Sequence, residues 1–169
     1  PSGVGGRRGL LTNLAQDTNM LRRMDVGKVL APVSGNGVDE EVIRMACNLA
    51  RESDASVRAV CVIEVERSLP LDAPVEQETA RAESILARAQ EYARDAGYDI
   101  DTDLLQAREA GPAIVHEAEA AHADLIVMGV AYRRRAGIVD IGETTTHVLR
   151  EAPCHVVLYR AAVNPEDRK

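Results

Sequence analysis

Short apolar runs alternate along the chain with segments whose apolar residues recur at helical spacing. The runs at residues 28–33, 57–65, 124–129 and 154–159 are rich in aliphatic side chains and are predicted to be buried strands. Residues 100–105 begin with alternating apolar and polar positions, which predicts an edge strand. Strands that alternate with helices favour an α/β fold, here an open five-stranded parallel sheet with helices on both faces.

Local signals mark the ends of four helices between these strands. Asp39 is predicted to cap the first helix, and Gly97 to follow the second. Pro112 suits the first turn of the third helix, and Pro153 ends the fourth. Residues 130–141 are predicted to form a long loop before the fourth helix.

The composition argues against a nucleic-acid partner. Hydrophobic residues make up 46% of the chain but aromatic residues only 2%, with four Tyr and no Phe or Trp. A platform on which single-stranded bases stack needs aromatic side chains, so none is expected. The net charge of −7 argues against a surface for duplex DNA. No nucleic-acid partner is therefore predicted.

The three cysteines are predicted to be buried, reduced thiols. Cys47, Cys61 and Cys154 are too scattered for a disulfide framework or a metal clip, and each lies in or beside an apolar segment. His116 and His122 are six residues apart and lie on different faces of a helix, so they form no zinc motif. No metal site is predicted.

Composition divides the chain into three segments. Residues 1–26 are predicted to be an N-terminal extension, flexible or a short helix, residues 27–160 the folded domain, and residues 161–169 a C-terminal tail. No apolar run reaches the roughly 18 residues of a membrane span, and no secretory signal is evident, so a cytoplasmic location is predicted. The chain does not begin with Met, which leaves open that it is cut from a longer protein.

Two strand ends carry unusual local sequence at the edge where open parallel sheets bind ligands. The first is PVSGNG, residues 32–37, and the second is Met128-Gly129, whose loop leads to GETTT, residues 142–146. A glycine before a helix lets backbone amides converge on an anion, and threonine hydroxyls add donors. The alternative is that this glycine only begins a helix and that the threonines cap it.

Three stretches of sequence carry a resemblance to a known family. VLAPVSGN matches its opening strand and turn, DLIVMGVAYRRRAGIVDIGET approaches its Gly-x2-Gly-x9-Gly-(Ser/Thr) signature, and HVLREAPCHVVLYR matches its last helix and strand. From Lys28 to Arg160 the chain resembles a universal stress protein domain. The resemblance implies strand order 3-2-1-4-5, an adenine nucleotide alpha hydrolase-like fold, and a homodimer paired through the last strand at Val156 and Leu158.

Many members of that family bind ATP, so the resemblance also implies a site for ATP or another adenine nucleotide. The corresponding positions are Pro32, Val33, Ser34, Val62, Met128, Gly129, Tyr132, Gly142, Glu143, Thr144 and Thr145. Three depart from the family pattern: Ser34 replaces an Asp, Tyr132 a Gly, and Glu143 a Ser or Thr. Tyr132 would crowd a backbone that approaches phosphate, and Glu143 places a carboxylate where phosphate oxygens would lie. Arg133–Arg135 can offset that charge.

Several functions remain open from the sequence. The leading hypothesis is a regulatory domain that senses stress or metabolic state, through an adenine nucleotide at a modified site. One alternative is the cytosolic C-terminal domain of a membrane transporter, on the cytoplasmic side, which the basic N-terminal segment motivates. Another is a ligand-free dimerisation module. Weak ATPase activity would need a base or metal ligand that the sequence does not identify, so no catalytic residue is predicted.

Overall fold

The structure of the chain is a computed structural model. It describes residues 25–130 and 141–162, together with the backbone alone of residues 133–135 and 138–140. Nearly all of the predicted N-terminal extension, most of the tail, and Tyr132 lie outside the described residues.

Strands and helices alternate along the described part of the chain. The strands are β1 (Lys28–Pro32), β2 (Ser56–Glu64), β3 (Asp101–Ala107), β4 (Leu125–Gly129), β5 (Arg133–Arg135), β6 (Ile138–Asp140) and β7 (His155–Tyr159). The helices are α1 (Asp39–Ser53), α2 (Glu76–Asp95), α3 (Ala110–Ala120) and α4 (Glu143–Glu151). The predicted alternation is therefore confirmed, with shifts of one or two residues at most ends.

The central sheet has the order β3-β2-β1-β4-β7, and all four pairings are parallel. Val29 of β1 pairs with Val57 of β2 on one side and with Leu125 of β4 on the other. The chain therefore builds outward from β1 through β2 to β3, and then continues on the opposite side with β4 and β7. The predicted five-stranded parallel sheet is confirmed, and its order reverses between β1 and β4.

The core forms two aliphatic layers, one on each face of the sheet. Val29 and Ala31 of β1 face the layer that contains the buried residues of α1 and α2, whereas Leu30 faces the layer that contains those of α3 and α4. Successive side chains of a strand point to opposite faces, so a strand with both faces buried needs an unbroken apolar run. Ile43 of α1 and Val148 of α4 are fully buried on the two sides.

Two local predictions are wrong. Residues 130–141 include a short antiparallel hairpin, in which Arg134 of β5 pairs with Val139 of β6. Asp39 is the first residue of α1 rather than its cap, because Val38 occupies the cap position and makes no side-chain capping bond. The Asp39 side chain instead turns back toward the preceding loop.

The cysteines are free thiols, and burial raises the pKa of each. Cys47 and Cys61 are buried as predicted, whereas Cys154 is half-buried. Within the described ranges, no helix combines the length and the apolar character needed to cross a membrane.

Candidate functional site

A cavity of about 420 Å³ opens at the carboxyl ends of β1, β2 and β4, beside the start of α4. The sheet order reverses between β1 and β4, so the connections after these two strands run to opposite sides of the sheet. Open α/β sheets bind ligands in the gap that this leaves. The volume lies within the range of small-molecule sites.

The structure gathers ten of the eleven predicted site residues around this one cavity. They are Pro32, Val33, Ser34, Val62, Met128, Gly129, Gly142, Glu143, Thr144 and Thr145. Tyr132, the eleventh, is outside the described residues. Six further lining residues were not predicted: Asn36, Val60, Glu64, Ala110, Ile114 and Ile141.

One wall of the cavity is apolar and continuous with the core. Val60, Ile114 and Met128 line the cavity and belong to the core layer beneath α3 and α4. On the opposite face of the sheet, Gly129 allows a close approach of α1, since a Cβ at that position would lie 2.5 Å from Val38 Cγ2 and 3.0 Å from Val42 Cγ2. A glycine at the end of β4 therefore lets α1 pack close to the strand that ends at the cavity.

Asp39 holds the loop between β1 and α1 at the rim. Its Oδ2 accepts the backbone N–H of Gly35 at 2.6 Å and that of Ser34 at 3.1 Å. The Asp39 residue is 7% exposed, and its burial raises the pKa of its carboxyl, although the N–H bonds from Gly35 and Ser34 lower it. The loop amides are thus bound by a carboxylate that the chain itself supplies.

Asn36 fixes the polar side of the same rim. Its Oδ1 accepts the N–H of Val38 at 3.0 Å, and its Nδ2 donates to the Ser34 hydroxyl at 3.0 Å. The bond from Asn36 holds the Ser34 hydroxyl next to the cavity. The only sequence signal for Asn36 was its place in a Gly-rich turn.

Glu64 links the end of β2 to the start of α3. Its Oε1 accepts the N–H of Ala110, the first residue of α3, at 2.8 Å. A carboxylate at a helix N-terminus is favourable because it satisfies an unpaired N–H and meets the positive end of the helix dipole. The partners are 46 residues apart in sequence, so no local motif indicates the bond.

Helix α4 begins at the opposite side of the cavity. Gly142 occupies its cap position with φ of +83°, and no side chain makes a capping bond there. The Thr146 hydroxyl donates to the Gly142 carbonyl at 2.9 Å, and Thr145 is buried. Gly142 therefore does precede the helix, while capping of the helix by the threonines stays a prediction.

A second groove of about 360 Å³ adjoins the cavity and continues between α3 and α4. His147 and Arg150 line it, and Arg150 Nη2 lies 3.5 Å from His147 Nδ1. The Arg150 guanidinium also pairs with Glu151 at 2.7 Å. Among the residues that the structure describes, no three His, Cys, Asp or Glu side chains form a group that could hold a metal ion.

The charge of the cavity is negative in its described part. Glu64 and Glu143 line it, and its described lining includes no Lys, Arg or His. The site therefore combines an apolar wall, a polar rim and two carboxylates, an arrangement that can bind a small molecule through apolar contacts and hydrogen bonds.

Comparison with known proteins finds one family. The family model described as "Universal stress protein family" matches residues 26–160. A universal stress protein of Methanocaldococcus jannaschii is 30% identical over 139 residues, which cover 79% of this chain and 81% of that protein.

Solved structures share the fold. A universal stress protein from Archaeoglobus fulgidus in complex with dAMP matches with a TM-score of 0.63 and 22% identity, over 79% of this chain and 96% of that one. A family member from Arabidopsis thaliana with AMP bound matches with a TM-score of 0.59 and 13% identity, over 85% of this chain and 95% of that one. The shared architecture is the adenine nucleotide alpha hydrolase-like fold, as the resemblance implied.

Proposed function

The chain belongs to the universal stress protein family, and on that premise we propose that it is a regulatory domain that binds the adenosine portion of an adenine nucleotide. The observation that carries the proposal is the cavity at the sheet reversal. Its apolar lining, to which Val62, Ile114 and Met128 contribute, can pack against an adenine ring. Similar structures that hold dAMP and AMP support this ligand class.

The polar rim suits the remainder of the nucleoside. The Ser34 hydroxyl and the Asn36 amide lie beside the apolar wall and can exchange hydrogen bonds with a ribose or with the ring edge. A regulatory rather than catalytic role is proposed because the described lining includes no His, Lys, Arg or Cys, the side chains most used to activate a nucleophile or stabilise a transferred phosphoryl group.

Isothermal titration calorimetry of the whole chain with adenosine, AMP, cyclic AMP and ATP tests the proposal. We expect heat of binding with at least one of them, and loss of that heat in Val62→Phe, which fills the cavity. Ala87→Phe, at an exposed position on α2, is the matched control and should bind as the wild type does. No heat with any of the four compounds would leave the ligand-free dimerisation module as the better account.

Pairing of two chains through β7 is the second part of the proposal. Strand β7 is an edge of the sheet, and its residues Val156 and Leu158 are only half-buried. An edge strand presents unpaired backbone groups that a second copy can satisfy. Attachment to a membrane transporter stays a prediction, which the coding sequence upstream of Pro1 decides.

A further inference from the structure

Two polar side chains at the rim of the cavity, Ser34 and Asn36, are joined by a hydrogen bond whose direction follows from the neighbouring bonds. We propose that Asn36 makes the Ser34 hydroxyl a hydrogen-bond donor toward the ligand, and that this donor binds a ring nitrogen of adenine. Ser34 is then a specificity-determining residue, and Asn36 the residue that positions it. This inference rests on the proposed function, because it concerns ligand recognition in the same cavity.

The orientation of the Asn36 amide is fixed by the backbone of the same turn. The Val38 N–H lies 3.0 Å from one of the two polar atoms of the amide. A backbone N–H can only donate, so that atom must be the oxygen, Oδ1. The other atom is therefore Nδ2, which lies 3.0 Å from the Ser34 Oγ. Because an amide NH₂ group can only donate, the Ser34 oxygen is the acceptor in this bond.

The Ser34 hydroxyl keeps its own proton for another partner. A hydroxyl has one O–H to donate and two lone pairs that accept, and the Asn36 amide occupies one of the lone pairs. Among the residues that the structure describes, none accepts a hydrogen bond from this O–H. Ser34 is exposed and lines the cavity, so its proton can be donated to a ligand there.

Two further contacts hold the backbone that carries Ser34. Asp39 Oδ2 accepts the N–H of Ser34 at 3.1 Å and that of Gly35 at 2.6 Å. Gly35 has φ of +78°, and a Cβ there would lie 2.8 Å from Ile85 Cδ1, so the loop also packs closely against α2. A donor whose position is fixed before the ligand binds loses little conformational entropy on binding.

The sheet brings Ser34 to the apolar lining against which an adenine ring can pack. Pro32 of β1 pairs with Val60 of β2, and the Val33 N–H donates to the Val60 carbonyl at 2.9 Å. Two residues further along each segment, this register places Ser34 near Val62, and both line the cavity. A ring that packs against Val62 therefore has an edge at Ser34. The ring nitrogens at the edges of adenine accept hydrogen bonds, which an O–H can supply.

Calorimetry with deaza analogues tests the inference. Of adenosine, AMP, cyclic AMP and ATP, the compound that binds most tightly is compared with its 1-deaza, 3-deaza and 7-deaza analogues. Each analogue replaces one ring nitrogen by a C–H group, which cannot accept a hydrogen bond. We expect one of them to bind the wild type about fivefold more weakly than the parent compound, the effect of one uncharged hydrogen bond. In Ser34→Ala that analogue and the parent should bind equally, because the donor is absent.

The Asn36→Asp variant tests the direction of the bond. An aspartate keeps one oxygen for the Val38 N–H, but its second oxygen accepts the Ser34 proton instead of donating to the hydroxyl. We expect Asn36→Asp to bind the parent and that analogue equally, as Ser34→Ala does, and the double variant to lose no more than either. Asn48→Asp, at an exposed position of α1, changes the net charge equally and should keep the wild-type difference.

The ratio of the two affinities separates positioning from a merely structural role. A variant that only loosened the loop would weaken the parent and the analogue alike and leave their ratio unchanged. Equal binding of the parent and all three analogues by the wild type would overturn the inference while leaving the proposed function intact. A difference that persists in Asn36→Asp would also overturn it. If none of the four parent compounds binds, the proposed function fails and the inference with it.

Discussion

Asp39 begins helix α1, and its carboxylate also holds the loop at the rim of the cavity. Its carboxylate lies at the first position of α1 and binds the two amides that follow Val33. Two effects act on it in opposite directions. Burial raises its pKa from the ordinary value of 3.8, and the N–H bonds from Gly35 and Ser34 lower it, with burial the larger effect.

The raised pKa of Asp39 makes a prediction about stability and pH. A carboxyl whose pKa is higher in the folded state binds its proton more tightly there than in the unfolded chain. Its contribution to stability is therefore greatest below its ordinary pKa and is lost as the pH rises through the folded-state pKa. We expect the free energy of unfolding of the wild type, relative to Asp39→Asn, to decrease as the pH rises from the ordinary pKa of 3.8 through the folded-state pKa.

Urea unfolding at a series of pH values measures this difference. Asp95→Asn, at an exposed aspartate of α2, is the control for a general change of charge. A relative stability that rises with pH would mean that the amide bonds outweigh burial at Asp39, contrary to the expectation.

At the scale of elements, Arg108 organises the connection between β2 and α2. Its guanidinium donates to the carbonyls of Val65, Glu66 and Leu69, the Leu69 bond being 2.7 Å long. The planar fork of an arginine can reach several carbonyls at once, which a lysine cannot do in the same geometry. The loop that follows Glu64 is thus tied to the residue that follows β3.

Removal of Arg108 should loosen that loop. In Arg108→Ala we expect the loop amides, such as that of Leu69, to exchange hydrogen about fivefold faster, which corresponds to a loss of about 1 kcal/mol. Hydrogen-exchange mass spectrometry measures the rate. Arg67→Ala is the control, because the Arg67 side chain is 87% exposed and its ion pair with Glu109 contributes little. Equal rates in the two variants would contradict this role.

The elements differ in how far the sequence predicts them. Strands β1, β2 and β4 follow from aliphatic runs, since a strand buried on both faces needs such a run. The run of β7 also predicts its strand, but its residues are half-buried or exposed rather than buried as predicted. The hairpin of β5 and β6 was missed because three consecutive arginines show no alternation of apolar and polar positions. Asp39 was placed as a cap because the residue type fits, but the pattern does not reveal that its side chain turns to the preceding loop.

The site was predicted less completely than the strands. Positions matched to the family motif do meet at one cavity, since motif spacing carries information about loop geometry. Glu64 and Ala110 were missed because their contact joins the ends of two distant elements. Such residues come together only in the folded sheet, and no short sequence motif indicates their contact.

At the scale of the whole molecule, the outer edge of β7 is the surface through which we propose that two copies pair. The His155 N–H donates to the Asp124 carbonyl at 3.2 Å, and the Tyr159 carbonyl accepts the Val130 N–H at 2.7 Å. These groups face β4 and the chain around it. Because alternate residues of a strand direct their backbone groups to opposite sides, those of Val156 and Leu158 face outward.

That geometry makes proline a selective probe of the proposed dimer. Val156→Pro removes an outward N–H and leaves the bonds of His155 and Tyr159 toward the β4 side in place, a situation that edge strands tolerate. We expect analytical ultracentrifugation to show a dimer for the wild type and a monomer for Val156→Pro, with unchanged circular dichroism. Val156→Ala keeps the N–H and should remain dimeric. A monomeric wild type at micromolar concentration would rule out this mode of pairing.

Asp39 and Glu64 accept hydrogen bonds from backbone N–H groups, Asp39 in the loop before α1 and Glu64 at the start of α3. Dissolved anions would have to compete with these two carboxylates for the same N–H groups. A side chain tethered within a few ångströms of its partner acts at an effective concentration on the order of millimolar or more. A free anion must exceed that value to displace it, and Asp39 and Glu64 are attached to the groups they bind. Below that concentration, inorganic phosphate or sulfate is therefore not expected to displace Asp39 from the N–H groups of Ser34 and Gly35, or Glu64 from that of Ala110.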